Sequence, residues 1–178
     1  TPLYHFITEA KYNGTEFVSI APDYSPNTIH ADYHVPIKPG GDAAFWLGMC
    51  QVMIENDLLD REFMREQSDL ALRRRKDPGK FLREPDLTGS GRIDQFYFWD
   101  LTTNSIKQAS RATLAFDGEQ ALDGQYTATL HDGSTIEVEP VFEGVKRLLA
   151  AEYTAELAAE KSGVHATLIE KIGKKMGT

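Results

Sequence analysis

Hydrophobic positions along this chain change period several times, and each change marks an element. Thr1-Pro2 has the form of a helix N-cap followed by proline at the first helical position. Leu3, Phe6, Ile7 and Ala10 then recur at helical spacing until Asn13-Gly14 stops the run. Residues 16–20 (EFVSI) predict a short strand that breaks into the loop APDYSPN, where two prolines and an asparagine forbid regular structure. Residues 33–37 predict a second extended piece, ended by Pro39-Gly40-Gly41, and Asp42 stands where a helix N-cap belongs. Residues 43–54 are apolar or small except for Gln51, so the helix they predict must be covered on most of its surface. Phe45, Trp46 and Cys50 are expected core residues of that helix. The order helix, strand, loop, short strand, buried helix predicts an α/β layered fold with at least partly parallel strands.

The middle of the chain is less regular. Residues 60–67 predict a short helix, and Arg73-Arg74-Arg75-Lys76, ahead of a Pro78-Gly79 turn, predicts a solvated face able to form ion pairs. Residues 87–92 (LTGSGR) have loop composition, whereas residues 95–99 (QFYFW) are too aromatic to stay in water and predict a strand or packed edge. YTATL, HDGS and TIEVE give the clearest hairpin signal, with Asp132-Gly133 in the turn and one buried face. After Pro140 three helices are expected: one striped by Val141, Phe142, Val145, Leu148 and Leu149, one bracketed by Thr154 and Gly163, one carrying Leu168, Ile169 and Ile172. No repeat, low-complexity tract or domain linker is visible.

Charge and cysteine content narrow the function. Across 178 residues, 27 acidic against 19 basic side chains leave a net charge of -8, which repels nucleic acid and anionic membrane surfaces. No apolar run approaches the ~20 residues needed to span a bilayer. One cysteine, Cys50, excludes an internal disulfide, a CxxC redox pair and any Cys-rich iron–sulfur site within the chain. The helix-first opening without an initiator Met leads to the expectation that residues 1–178 are an internal piece of a longer polypeptide.

Two places carry candidate binding chemistry. The loop at Ala21, Pro22, Asp23, Tyr24 and Ser25 comes directly after a strand, where open α/β sheets bind ligands. Asp23 can accept hydrogen bonds from a ribose or a purine edge, Tyr24 can flank a base, and Ser25 can donate to a phosphate; an Asx turn before Pro26 is the plainer reading. At Gly40, Gly41 and Asp42, glycines admit close backbone approach and a helix start offers free N–H groups. Asp42 disfavours a phosphate there and suits guanine N1–H and N2–H, with helix capping as its structural alternative. Neither GxGxxG nor GxxxxGK[ST] is present, and no catalytic set assembles. His30 and His34 have metal-pair spacing, but Pro36 and the strand-like run argue against a helix there.

The run from HFITEAKYNGTEFVSIAPDYSPNTIHADYHVPIKPGGDAAFWLGMC onward, with GKFLREPDL, FYFWDL and GVHATLIEKIGKKM, resembles catalytic subunits of molybdopterin oxidoreductases of the dimethyl sulfoxide reductase family. The likeness is closest to the branch with ethylbenzene, steroid side-chain and dimethyl sulfide dehydrogenases. It implies an incomplete Rossmann-like domain contributing to one guanosine end of a bis(molybdopterin guanine dinucleotide) with molybdenum. The implied cofactor-binding positions are Ala21, Pro22, Asp23, Tyr24, Ser25, Gly40, Gly41 and Asp42; at Gly41 the family more usually carries Thr or Ser.

The resemblance further implies an iron–sulfur cluster and molybdenum ligand outside this chain, and partnership with the rest of the catalytic subunit and an iron–sulfur electron-transfer subunit. It also implies a periplasmic setting in anaerobic respiration, with a cytoplasmic one as the alternative, and no turnover by the isolated chain. An exposed edge or apolar groove is expected where neighbouring structure is missing, with self-association as one way to cover it. The competing reading is a standalone nucleotide-binding or protein-interaction module with a Rossmann-like fold and no redox activity.

Overall fold

A computed structural model describes residues 4–77, 79–110 and 118–177. The expected helix start at Thr1-Pro2 and Leu3, and Pro78 of the expected turn, lie outside the described residues. In chain order the first elements are α1 (Tyr4–Tyr12), β1 (Val18–Ala21), a 3-10 turn (Thr28–His30), β2 (Tyr33–Pro36), α2 (Asp42–Glu55) and α3 (Arg61–Gln67). Then come β3 (Arg73–Arg75), α4 (Glu84–Thr88), β4 (Tyr97–Asp100), β5 (Ser105–Gln108), β6 (Tyr126–Thr129) and β7 (Thr135–Pro140). The chain closes with α5 (Val141–Glu152), α6 (Ala155–Ser162) and α7 (Ala166–Met176). This is the mixed α/β composition with hairpin and C-terminal helices that the pattern predicts. Two compact units result, one from the residues before 60 and after 148, the other from residues 60–148.

In the first unit β1 and β2 pair in parallel, with Val18 opposite Tyr33 and Ala21 opposite Pro36. Side chains alternate along each strand, so Val18, Ile20 and Val35 share the face that packs into a core with Phe45, Met49, Ala158 and Ile169. Gly48 lets α2 approach α6 closely, because a Cβ there would stand 2.5 Å from the Ala158 Cβ. Thr154 accepts from the Leu157 N–H to start α6, and left-handed Gly163 ends it, as the bracketing residues predict.

Two expectations for α2 are overturned. Gly41, not Asp42, is the N-cap, and Asp42 is an exposed residue of the first turn. Trp46 is 44% exposed and Cys50 is exposed too, so neither belongs to the core. The sequence makes α2 apolar on all sides, but packing fills only the side holding Phe45, Met49 and Val52. Helix α1 has no buried residue, and Phe6 is 58% exposed.

In the second unit β3, β7 and β6 form an antiparallel sheet in that order, and β4 and β5 form a separate antiparallel pair. The hairpin and the aromatic strand stand where the pattern places them. Strand β5 (SIKQ) escapes sequence reading because its side chains are exposed or half-buried and carry little apolar signal. The arginine run is a strand rather than a solvated face, which corrects that expectation. Arg73 is fully buried with its guanidinium 4.4 Å from the Tyr126 ring, and burial pushes its pKa down to about 10. Arg74 lies on the opposite face of β3, where its Nε approaches Glu139 at 3.3 Å. Glu139 is itself fully buried and accepts two hydrogen bonds from Arg147 of α5. Arg75 returns to the first face and donates to Asp86 at 2.7 Å. Alternation along a strand thus sends neighbouring cations to different partners.

Buried Asp100 ends β4 and accepts from Lys107, Thr103 and the Glu119 N–H; the Lys107 ammonium foremost holds its carboxyl below the ordinary 3.8.

Both buried carboxylates give expected outcomes for stability. Glu139→Gln leaves two guanidinium groups facing a neutral amide and should lower the unfolding free energy by about 2–4 kcal/mol in urea titrations. Because the folded Asp100 carboxyl titrates below its unfolded value, its contribution is complete above the unfolded pKa and lost as pH falls through the folded one. The urea midpoint should therefore fall below about pH 4, and Asp100→Asn should make that acid limb shallower.

Candidate functional site

Parallel pairing places the carboxyl ends of β1 and β2 side by side, with Ala21 opposite Pro36. The loop carrying Pro22, Asp23, Tyr24 and Ser25 leaves that edge from β1. Ile37 to Gly41 leave it from β2 and lead into α2. The two segments singled out in the sequence thus depart from one sheet edge. Asp23, Tyr24 and Asp42 are all exposed there, and Ala21 and Ser25 are half-buried.

A run of hydroxyls on the sheet face opposite the core anchors the first loop. Ser19 Oγ lies 3.0 Å from Thr28 Oγ1, and Ser25 Oγ lies 3.4 Å from the same atom. The Thr28 N–H also donates to the Ser25 carbonyl at 2.8 Å, and both Ser19 and Thr28 are buried. At the far end of the crossover, Asp32 accepts from the Phe17 N–H at 2.7 Å and from Lys11. That backbone donor, then Lys11, holds the Asp32 carboxyl below its ordinary range. Neither Ser19 nor Thr28 stands out in the sequence. The signal it does carry is Ser19 alternating with Val18 and Ile20, which places a polar side chain opposite the core face.

Tyr24 is 67% exposed and meets the His34 ring edge-on at a centroid distance of 5.5 Å. His30 instead packs at 5.4 Å from the Tyr4 ring and lines a pocket of about 400 Å³ with Tyr4, Pro26, Asn27 and Ile29. The two histidines therefore sit in different elements beside different tyrosines. Among the described residues no group of three or more His, Cys, Asp or Glu side chains is placed to hold a metal ion.

The two glycines have different causes. Gly40 has φ +83 with open space where a side chain would stand, so it supplies the left-handed turn and leaves its outer face clear. Gly41 is buried, and a Cβ there would stand 2.8 Å from Ser162 Cα and 3.0 Å from the Lys38 carbonyl. The Lys38 N–H donates to the Ser162 carbonyl at 2.9 Å, which ties this turn to the end of α6. Gly41 makes no side-chain cap, so the helix start keeps its backbone donors while Asp42 offers an exposed carboxylate beside them. The arrangement can present carboxylate acceptors, an aromatic ring and backbone donors to a polar heterocycle. It holds no nucleophile-and-base pair.

No family model matches the sequence. The chain is 36% identical over 200 residues to perchlorate reductase subunit alpha of Dechloromonas aromatica, which covers 98% of this chain and 22% of that subunit. It is 39% identical to dimethylsulfide dehydrogenase subunit alpha of Rhodovulum sulfidophilum, covering 90% of this chain and 18% of that one. It is 32% identical to chlorate reductase subunit alpha of Ideonella dechloratans, over 94% of this chain and 18% of the relative. The chain thus spans about a fifth of the length of these curated relatives. Acetylene hydratase from Pelobacter acetylenicus shares the fold, with a TM-score of 0.50 at 18% identity over 96% of this chain and 14% of that one.

Gly41→Ala forces a methyl group onto backbone atoms of α6 and Lys38, and should destabilise the chain by about 1–3 kcal/mol in urea titrations. Gly40→Ala meets no neighbour and should cost only the strain of its left-handed backbone, about 1 kcal/mol.

Proposed function

The chain belongs to the dimethyl sulfoxide reductase family of molybdopterin oxidoreductases, as part of a catalytic alpha subunit, and from that premise we propose that its two loops wall one guanosine end of bis(molybdopterin guanine dinucleotide). The observation that carries this reading is the register of β1 with β2, which releases both loops at one sheet edge. Asp23 accepts from the ribose hydroxyls or the base edge, and Asp42 accepts from guanine N1–H and N2–H. Tyr24, largely exposed, flanks the purine. Ser25 is already in contact with Thr28 and chiefly fixes the loop. Gly40 leaves its outer side open to the ligand, whereas Gly41 serves by packing against Ser162.

These residues fit a guanosine on chemical grounds: acceptors face a donor-rich edge, and the open glycine turn admits close approach. A Thr or Ser at position 41, the usual family residue, would bring a Cβ against Ser162 in this chain. Glycine there exchanges a hydroxyl for tighter packing of α2 on α6. When bound, the cofactor supplies molybdenum for oxygen-atom or hydroxyl transfer. The iron–sulfur cluster and molybdenum ligand belong to parts of the subunit outside this chain, and an iron–sulfur subunit accepts or delivers the electrons. A periplasmic setting accords with the dehydrogenase branch. Alone, the chain has too few of the cofactor's walls to retain it and no turnover.

Asp23→Ala and Asp42→Ala, introduced into the full catalytic subunit, should each lower the molybdenum and guanine retained after purification by about tenfold, the loss of one charge-assisted hydrogen bond. Full occupancy by metal analysis and nucleotide quantification in both variants overturns this assignment.

A further inference from the structure

We propose that His34 is a positioning residue of this site, whose imidazole directs its Nε2–H at the Tyr24 ring and holds that ring where it flanks the purine. Parallel register sets His34 opposite Ser19, so both side chains stand on the sheet face away from the core. The loop after β1 folds back toward this face. Ser25 Oγ reaches Thr28 Oγ1 at 3.4 Å, and that atom in turn meets Ser19 Oγ at 3.0 Å. Tyr24, one residue before Ser25, meets the His34 ring at 90° with centroids 5.5 Å apart. This is the edge-to-face arrangement, in which the positive edge of one ring points at the negative face of another.

The imidazole nitrogen identifies which ring supplies the edge. His34 is half-buried, and its Nε2 is shut away from solvent with no hydrogen-bond partner. A buried ring nitrogen normally has one. Ser19, its neighbour across the register, is already engaged with Thr28. An N–H aimed at an aromatic face is a weak hydrogen bond, and the Tyr24 ring is the acceptor that the geometry offers. Tyr24 remains 67% exposed, so this contact leaves most of the ring to a ligand. An exposed loop tyrosine held in one orientation has less freedom to lose when a base stacks on it. His34 itself touches no ligand and acts through Tyr24.

This inference rests on the guanosine reading, and two measurements on the native full-length subunit separate the two. Carbethoxylation of His34 by diethyl pyrocarbonate, read by peptide mass spectrometry, reports the contact with Tyr24. His34 should react about tenfold more slowly than the exposed His131 and His165, stay protected in Tyr24→Phe, and react at their rate in Tyr24→Ala. Asp23→Ala keeps the Tyr24 ring and should leave His34 protected, which separates loss of the ring from loss of the cofactor. Guanine retained after purification reports the effect on the purine. His34→Ala should lower it by about threefold, and the double variant with Tyr24→Ala should lose no more than Tyr24→Ala alone. His34→Phe, which keeps an aromatic edge, should retain most of it. Wild-type His34 reacting as fast as His131, protection that survives Tyr24→Ala, or additive losses in the double variant overturns the proposal. Full guanine in His34→Ala overturns it as well. If Asp23→Ala and Asp42→Ala are also full, the guanosine reading falls with it; if they are depleted, that reading stands without His34. Should His34→Ala fail to fold, His34→Leu, which fills the space without an aromatic edge, takes its place.

Discussion

Parallel pairing obliges two strands to end at the same edge, and in this chain that constraint controls the candidate site. Ala21 opposite Pro36 sets where the Asp23 loop and the glycine turn begin. The segment after each strand is then held by short-range chemistry. Ser19, Thr28 and Ser25 tie down one loop by hydroxyl contacts, and Lys38, Gly41 and Ser162 tie down the other by backbone contacts. The exposed groups, Asp23, Tyr24 and Asp42, stand on these anchored segments and contribute little to the fold themselves. That division between buried anchors and exposed polar groups is what a preorganised binding edge requires.

The other unit solves a different problem, the burial of charge in a small antiparallel sheet. Arg73, Arg74 and Arg75 alternate between faces, and each face offers a different compensation: a tyrosine ring for Arg73, a buried carboxylate for Arg74, a half-exposed one for Arg75. Glu139 depends on Arg147 first and on Arg74 second, so its carboxyl remains ionised below the usual range. Desolvation offsets much of the attraction within such pairs, so removing one partner costs more than the intact pair contributes.

Much of this architecture is legible in the amino-acid order. Turn chemistry at Asp132-Gly133 and the brackets Thr154 and Gly163 act locally, so the hairpin and α6 can be read from them. The two candidate loops are legible for the same reason, since prolines and glycines punctuate the ends of β1 and β2. The features that escape depend on tertiary context. An apolar helix does not announce which side is left uncovered, so its pattern places Trp46 and Cys50 wrongly in the core. A run of arginines reads as solvated until a partner such as Glu139 arrives from β7, far along the chain. Ser19 and Thr28 are ordinary hydroxyl residues whose role exists only once the crossover folds back onto β1.

Photochemical cross-linking of the guanine nucleotide bound in the native full-length subunit, with peptide mapping of the adducts, tests the central claim most directly. The account predicts adducts on the segments carrying Asp23-Tyr24 and Gly40 to Asp42. Adducts confined to other parts of the subunit, with both segments unmodified, would contradict it.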